Sequence, residues 1–257
     1  MSEPKPQAVV ELEGVDVVTD AAPEVIVVRE VNWRIVTGDF WVVAGEQGCG
    51  KTALLATAAS LQRPAGGVVR IFGRALTEAT EAEQVDWRRR MGLVFERSGR
   101  LFSHLMLAEN VALPLQYHLN LTEVEALAKA RELLARVGLE NRANALPSGV
   151  APRLQQRVAL LRALAVPTQV LFLDDPLSGL DFGGACWWLN FLRELRAEHE
   201  TAGQPLTIVA TADDFRGWLG LAQQFAVIEQ QRFRVLGGRN EAAASGFAAW
   251  ERLVATN

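Results

Sequence analysis

The stretch Gly45-Glu46-Gln47-Gly48-Cys49-Gly50-Lys51-Thr52 decides how the chain is read. The run Trp41-Val42-Val43-Ala44 leads into it and the helix-favouring Ala53-Leu54-Leu55-Ala56 leads out, giving the pattern strand, glycine-rich turn, helix. Glycines let the backbone wrap close to a polyphosphate, so that its N–H groups and the helix N-terminus face the negative charge. All eight residues are therefore candidates for nucleotide binding. Lys51 is expected to reach the β- and γ-phosphates, and the Thr52 hydroxyl to hold Mg²⁺.

Outward from this loop, strands precede it and an alternating pattern follows. Residues 8–19 alternate and are β-rich, and Val25–Val28 and Trp33–Val36 read as further strands, with Gly38-Asp39 as a turn. Three or four strands ahead of the loop suggest an antiparallel β subdomain against a parallel core. Gly66–Phe72 reads as strand and turn, residues 78–90 as a charged helix, and Met91–Phe95 as a strand. From Arg97 to about Leu164 the helix period dominates, with Leu127, Leu133, Leu134 and Val137 recurring every three or four residues. A helix at about 184–199 and strands at Thr207–Ala210 and Phe225–Ile228 complete an alternating α/β core. The expected organisation is one domain spanning 1–257, with a core lobe at about 1–95 and 165–257 and a helical lobe at about 96–164.

The totals fit this scheme. The chain has 257 residues, of which 49% are hydrophobic and 22% charged, enough for a full core. A net charge of −4 argues against nucleic-acid binding through a basic surface. Cys49 and Cys186 are too few for a disulfide framework, and a crosslink at Cys49 would obstruct the loop, which suits a reducing cytosol. Met1–Pro6 carries no apolar stretch of a signal peptide, and no run reaches the ~20 apolar residues of a membrane span. If a membrane is involved, another chain must supply it.

The apolar run Val170–Leu173 ends in Asp174-Asp175-Pro176. A buried strand ending in two acids is the other half of a P-loop site: Asp174 is expected to hold the hydration shell of Mg²⁺, and Asp175 to polarise the attacking water.

With these two stretches in hand, the chain resembles the nucleotide-binding subunits of ABC (ATP-binding cassette) transporters over nearly its whole length. Gly45–Thr52 corresponds to the Walker A loop, and Met91-Gly92-Leu93-Val94-Phe95 leads into the Q-loop. Leu171–Pro176 corresponds to Walker B, and Leu177-Ser178-Gly179-Leu180-Asp181 to the D-loop. Residues 101–105, Glu109–Leu115, Gln156–Leu160 and Arg162–Leu164 are also family-like. The wording Asn110-Val111-Ala112-Leu113-Pro114-Leu115 is most similar to importer-type and lipid-trafficking (Mla/Mce-like) ATPases. The resemblance implies an α/β fold with a P-loop NTPase core of mostly parallel sheet, an antiparallel β subdomain and a helical insert. It also implies ATP and Mg²⁺ as ligands, with a transmembrane permease subunit and a second ATP-binding subunit as partners. No nucleic-acid partner is expected, and the position is peripheral, on the cytoplasmic face of a membrane.

The chain departs from the family pattern at several positions. Val17, Val18, Thr19 and Asp20 stand where an aromatic residue would stack on adenine, a loss of about 1–3 kcal/mol if such stacking resembles that on single-stranded bases. Glu96 replaces the Q-loop glutamine; its carboxylate can still accept a hydrogen bond from a metal-bound water, so Glu96 joins Thr52 and Asp174 as a metal-side candidate. The LSGGQ signature falls on Val150-Ala151-Pro152-Arg153-Leu154, where Pro152 removes a backbone donor; a signature shifted to the nearby Ser148-Gly149 is the less favoured alternative. Asp175 is one methylene shorter than the catalytic glutamate, a misplacement that can slow turnover ~10²-fold. Ala212 stands for the H-loop histidine, and like charge argues against Asp213 or Asp214 replacing it. His104 and His118 read as surface residues and His199 as a helix-end residue.

Two functional readings lead. One is an ATP-binding transporter subunit with slow or partner-dependent hydrolysis, engaging its membrane partner near residues 97–115, where Leu101, Phe102, Leu105 and Leu107 cluster. The other is a non-catalytic nucleotide-binding scaffold. A soluble ABC protein acting on nucleic acid comes last, because the chain has one cassette, no Cys-x-x-Cys and an acidic balance.

Overall fold

A computed structural model describes residues 7–96, 100–244 and 248–254. In chain order the strands are β1 (Ala8–Val17), β2 (Val28–Val36), β3 (Phe40–Gly45), β4 (Gly66–Ile71), β5 (Arg74–Ala75), β6 (Met91–Val94), β7 (Val170–Leu173), β8 (Thr207–Ala212), β9 (Gln224–Glu229) and β10 (Arg232–Gly237). The helices are α1 (Lys51–Ala58), α2 (Glu81–Arg90), α3 (Leu107–Leu119), α4 (Glu123–Arg136), α5 (Pro152–Leu164), α6 (Phe182–Thr201), α7 (Arg239–Ala244) and α8 (Ala248–Val254). All these strands join one mixed sheet in the order β5-β4-β1-β2-β10-β9-β3-β8-β7-β6.

The mixture follows the sequence. Every residue of β3, β7 and β8 is buried, as in parallel strands covered on both faces. These strands and β6 pair in parallel, as does β3 with β9. β1 pairs antiparallel with β2 and β4, and β4 with β5, forming the antiparallel half. The two halves meet where Arg232 of β10 pairs with Arg29 of β2.

Because side chains alternate along a strand, the central strands feed two cores. Phe40, Val42 and Ala44 of β3, with Leu171 and Leu173 of β7, pack in one core with α3, α4, α5 and α6. Trp41 and Val43, with Val170 and Phe172, pack in the other with α1 and the antiparallel strands. The fold is thus the expected α/β type, with α3, α4 and α5 filling the stretch between β6 and β7. No helix among the described residues is long and apolar enough to cross a membrane.

Several expectations are corrected. The two strands placed at 25–28 and 33–36 are one strand, β2, and Val25 lies exposed before it. β8 runs on through Thr211 and Ala212. Phe225–Ile228 is not the last strand: β9 turns into β10 through Gln230 and Gln231, both in the left-handed region at φ 51° and 62°. Pro152 removes no needed donor, because it opens α5, where the first N–H has no partner within the helix. The apolar cluster at 101–107 divides: Leu107 is fully buried in the core and Leu101 packs against it, whereas Phe102 is half exposed. Residues 97–99, at the start of the stretch assigned to partner contact, lie outside the described residues.

The segment before α3 is held by one buried side chain. Asn110, fully buried, accepts from the Phe102 N–H and donates to the carbonyls of Phe102, Leu105 and Met106.

Candidate functional site

The carboxyl ends of β3, β7 and β8 lie side by side, and the site is built there. β3 delivers the glycine-rich loop, which turns through Gly48 at φ 81° and Gly50 at φ 104° into α1. A side chain on Gly50 would sit 2.8 Å from Val28 Cγ2, so sterics and backbone conformation both demand glycine. At Gly48 a Cβ would meet nothing within 4 Å, so a ligand can approach the backbone closely there.

Asp174 is the hub. It is 3% exposed and accepts a hydrogen bond from Thr52 Oγ1 at 2.8 Å, although 122 residues separate the two. Its other carboxylate oxygen accepts from Thr211 Oγ1 at 3.1 Å. Thr211, itself fully buried, also accepts from the Asp175 N–H at 2.9 Å. The start of α1 and the ends of β7 and β8 are thus tied through one carboxylate. Thr211 was overlooked in the sequence. The signal was a second hydroxyl in the fully buried strand Thr207-Ile208-Val209-Ala210-Thr211-Ala212, since a buried polar group needs a partner.

Lys51 is 8% exposed, and its ammonium donates to the carbonyls of Gly45 and Glu46 and to Asp213 Oδ1 at 2.8 Å. Asp213 follows β8 directly. Expected only to repel phosphate, it instead pairs with the lysine of the loop. Asp214 turns away and holds Arg216.

Asp175 adopts φ 41°, a left-handed conformation uncommon for a residue with a side chain. Burial pushes its carboxyl up to about 7, reinforced by the negative charge of Asp213 and opposed by Lys51; Glu96 and Asp174 raise it further. An acid poised near 7 suits proton transfer at neutral pH. Burial likewise pushes the Cys49 thiol up, against the pull of Lys51.

These groups share a cleft of about 320 Å³, whose walls include Gln47, Gly48, Gly50, Lys51, Thr52, Glu96, Asp174 and Asp175. Glu96 is linked across it to Ser178 Oγ at 3.4 Å. Gly45, Glu46 and Cys49 face a separate cleft of about 450 Å³ on the other side of the loop. The eight-residue stretch therefore divides between two surfaces. Hydroxyl and carboxylate oxygens from Thr52 and Asp174 form a hard donor set, the chemistry that Mg²⁺ prefers. The open backbone at Gly48 and the ammonium of Lys51 fit a polyphosphate.

The remaining motif positions lie apart. Ser148 and Gly149 belong to a single 3₁₀ turn, Pro147–Gly149, ahead of α5. Ala151 caps α5, and Arg153 pairs at 3.8 Å with Asp181, both side chains well exposed. His104 is exposed, His118 is half-buried, and His199 sits in the last turn of α6.

Comparison with known proteins agrees with this architecture. The family profile described as "ABC transporter" matches residues 28–178. The chain is 34% identical over 212 residues to the sulfate/thiosulfate import ATP-binding protein CysA of Caulobacter vibrioides, covering 81% of this chain and 59% of that protein. It is 36% identical over 170 residues to the methionine import ATP-binding protein MetN 1 of Rhodococcus jostii, covering 66% and 50%. The chain thus spans about half to three-fifths of the length of these curated relatives. Among solved structures, a post-hydrolysis dimer of the ATP-binding cassette MJ0796 bound to ADP and Pi superposes with a TM-score of 0.76 at 27% identity, covering 89% of this chain and 99% of that one. With a profile match over more than half its length and relatives above 30% identity, the chain belongs to the ABC transporter family.

Proposed function

We propose that this chain is the ATP-binding subunit of an ABC transporter complex, peripheral on the cytoplasmic face of a membrane. It would bind Mg-ATP and act with a transmembrane permease subunit and a second ATP-binding subunit. The observation that carries this reading is the tie from Thr52 through Asp174 to Thr211, with Lys51 alongside, which joins distant parts of the chain at one cleft. Gln47, Gly48, Gly50, Lys51 and Thr52, which line that cleft, would hold the phosphates, with Lys51 as their main cation. Thr52, Asp174 and Glu96 would stand on the metal side, where the ion would supply charge neutralisation. Asp175 would polarise water, and its raised pKa supports that role.

Hydrolysis is proposed to be slow or partner-dependent. Asp175, Ala212 and Val150–Leu154 depart from the family pattern together, on both halves of the site that a head-to-tail dimer would assemble. The Mla/Mce-like assignment rests only on the wording of residues 110–115. The relatives' printed names span sulfate/thiosulfate and methionine import, macrolide export and trimethylamine N-oxide transport, so likeness in this subunit does not select a cargo.

The test is ATP binding and turnover on the purified chain, beside Lys51→Ala and Asp175→Asn. Lys51→Ala is expected to weaken ATP binding by about 10–100-fold, the value of a charge-assisted contact. Slow turnover abolished by both substitutions supports the motor reading. Binding without turnover, even with a partner present, favours the second reading, a nucleotide-binding scaffold. No ATP binding in the unaltered chain defeats both.

A further inference from the structure

We propose that Asp213 is a built-in competitor for the β- and γ-phosphates of a nucleotide: it occupies Lys51, and a ligand reaches that ammonium only by displacing it. This rests on the reading that the loop binds nucleotide.

The argument starts from donor counting. A lysine ammonium has three N–H donors. In this chain they meet three acceptors, the carbonyls of Gly45 and Glu46 and Oδ1 of Asp213. A phosphate oxygen can therefore bind Lys51 only in exchange for one of them. The Gly45 carbonyl belongs to the end of β3, which is fixed by pairing with Ile228, and the Glu46 carbonyl follows directly in the loop. Asp213 is different. Its side chain is 63% exposed, and it stands just past the end of β8. Its place there is set by register, since Ala44 pairs with Ala212 and residue 213 emerges beside Gly45. It is the exchangeable partner.

Asp213 also has somewhere to go. It lines both the phosphate-loop cleft and the neighbouring cleft of about 450 Å³, so the residue borders open space in two directions. Asp174 and Glu96 share the phosphate-loop cleft, and their charge disfavours a displaced carboxylate remaining there. Displacement thus exchanges one anion on Lys51 for another, and the gain from a β-phosphate is reduced by the loss of Asp213. A monophosphate held by the loop backbone does not reach the lysine and makes no such exchange. Asp213 should therefore lower affinity for di- and triphosphates and leave monophosphates alone.

The experiment is calorimetric titration of the full chain with ADP and with AMP, in magnesium buffer. Asp213→Asn is expected to bind ADP about 10-fold more tightly, as for loss of a competing charge-assisted contact, with AMP unchanged. Asp213→Ser, which removes the charge with a smaller side chain, should behave the same way and guards against a folding defect in either variant. In the Lys51→Ala background, Asp213→Asn should bring no tightening. Unchanged or weaker ADP binding in both Asp213 variants overturns the proposal, as does equal tightening toward AMP or tightening that persists without Lys51. If the unaltered chain and its variants all fail to bind ADP, the nucleotide reading itself falls and takes this one with it.

Discussion

Asp175 combines a left-handed backbone with a carboxyl that holds its proton to about pH 7. In the unfolded chain the same group ionises near its ordinary value of 3.8. Between those values the folded state binds a proton that the unfolded state has lost, so stability falls as pH rises through this window and stays lowered above it. Asp175→Asn should remove that fall. The stability gap between variant and parent should open from pH 4 to pH 7 and then stay constant, reaching about 1–2 kcal/mol once solvent screening of a half-buried group is allowed for. Urea midpoints measured at pH 4, 6 and 8 check this, and a gap that does not depend on pH refutes it. At this scale the sequence named Lys51, Thr52, Asp174 and Asp175, because motif spacing fixes their places relative to a strand end. It did not show that Thr211 ties Asp174 to Asp175, or that Asp213 binds Lys51. Both facts depend on the register between β8 and its neighbours, and no local pattern encodes that register.

Among the elements, α3 depends on a polar side chain that has no exposure at all. Asn110 bonds four backbone groups of the segment before the helix, the Phe102 N–H and the carbonyls of Phe102, Leu105 and Met106. Asn110→Ala leaves the Phe102 N–H and the Leu105 carbonyl without this partner, while the carbonyls of Phe102 and Met106 keep the N–H groups of Leu105 and residue 110, and it should destabilise the chain by about 1–3 kcal/mol, read from denaturant unfolding. Amide exchange at Phe102 should rise more than that at α4. Helix starts carry a signal in the capping box, which a reading by period and charge does not use. Thr80 with Glu83 and Thr122 with Glu125 set the first turns of α2 and α4, and the box places α2 a few residues later than charge pattern alone suggests. The hairpin between β9 and β10 was missed for a local reason. Its turn needs positive φ at both central residues, a need usually signalled by Asn-Gly, but Gln230 and Gln231 fill it here.

At the scale of the whole molecule, the same strands serve both cores. Phe172 faces one and Leu173 the other, so damage on either face loosens the shared sheet. Phe172→Ala should cost about 3–5 kcal/mol. It should leave one cooperative transition, with tryptophan fluorescence and far-ultraviolet circular dichroism coinciding. Tryptophans report from both sides, Trp33, Trp41 and Trp87 in one core and Trp188, Trp218 and Trp250 in the other, so a split transition would show that the faces unfold separately. The α/β class was readable from the alternation of apolar runs. The order of the sheet was not, because β3 is early in the chain and finds both its neighbours late.

That late pairing bears on how the molecule is made. β3 leaves the ribosome as a wholly apolar segment, Phe40–Gly45, with β8 and β9 as its eventual neighbours on either side. About 160 further residues must be translated before β8 exists, which at about 5–20 residues per second takes on the order of ten to thirty seconds. Throughout that interval both edges of the strand are open to wrong partners. The glycine-rich loop therefore cannot take its final form until the last quarter of the chain has emerged, and nascent chains stalled before β8 should be the species most dependent on chaperones.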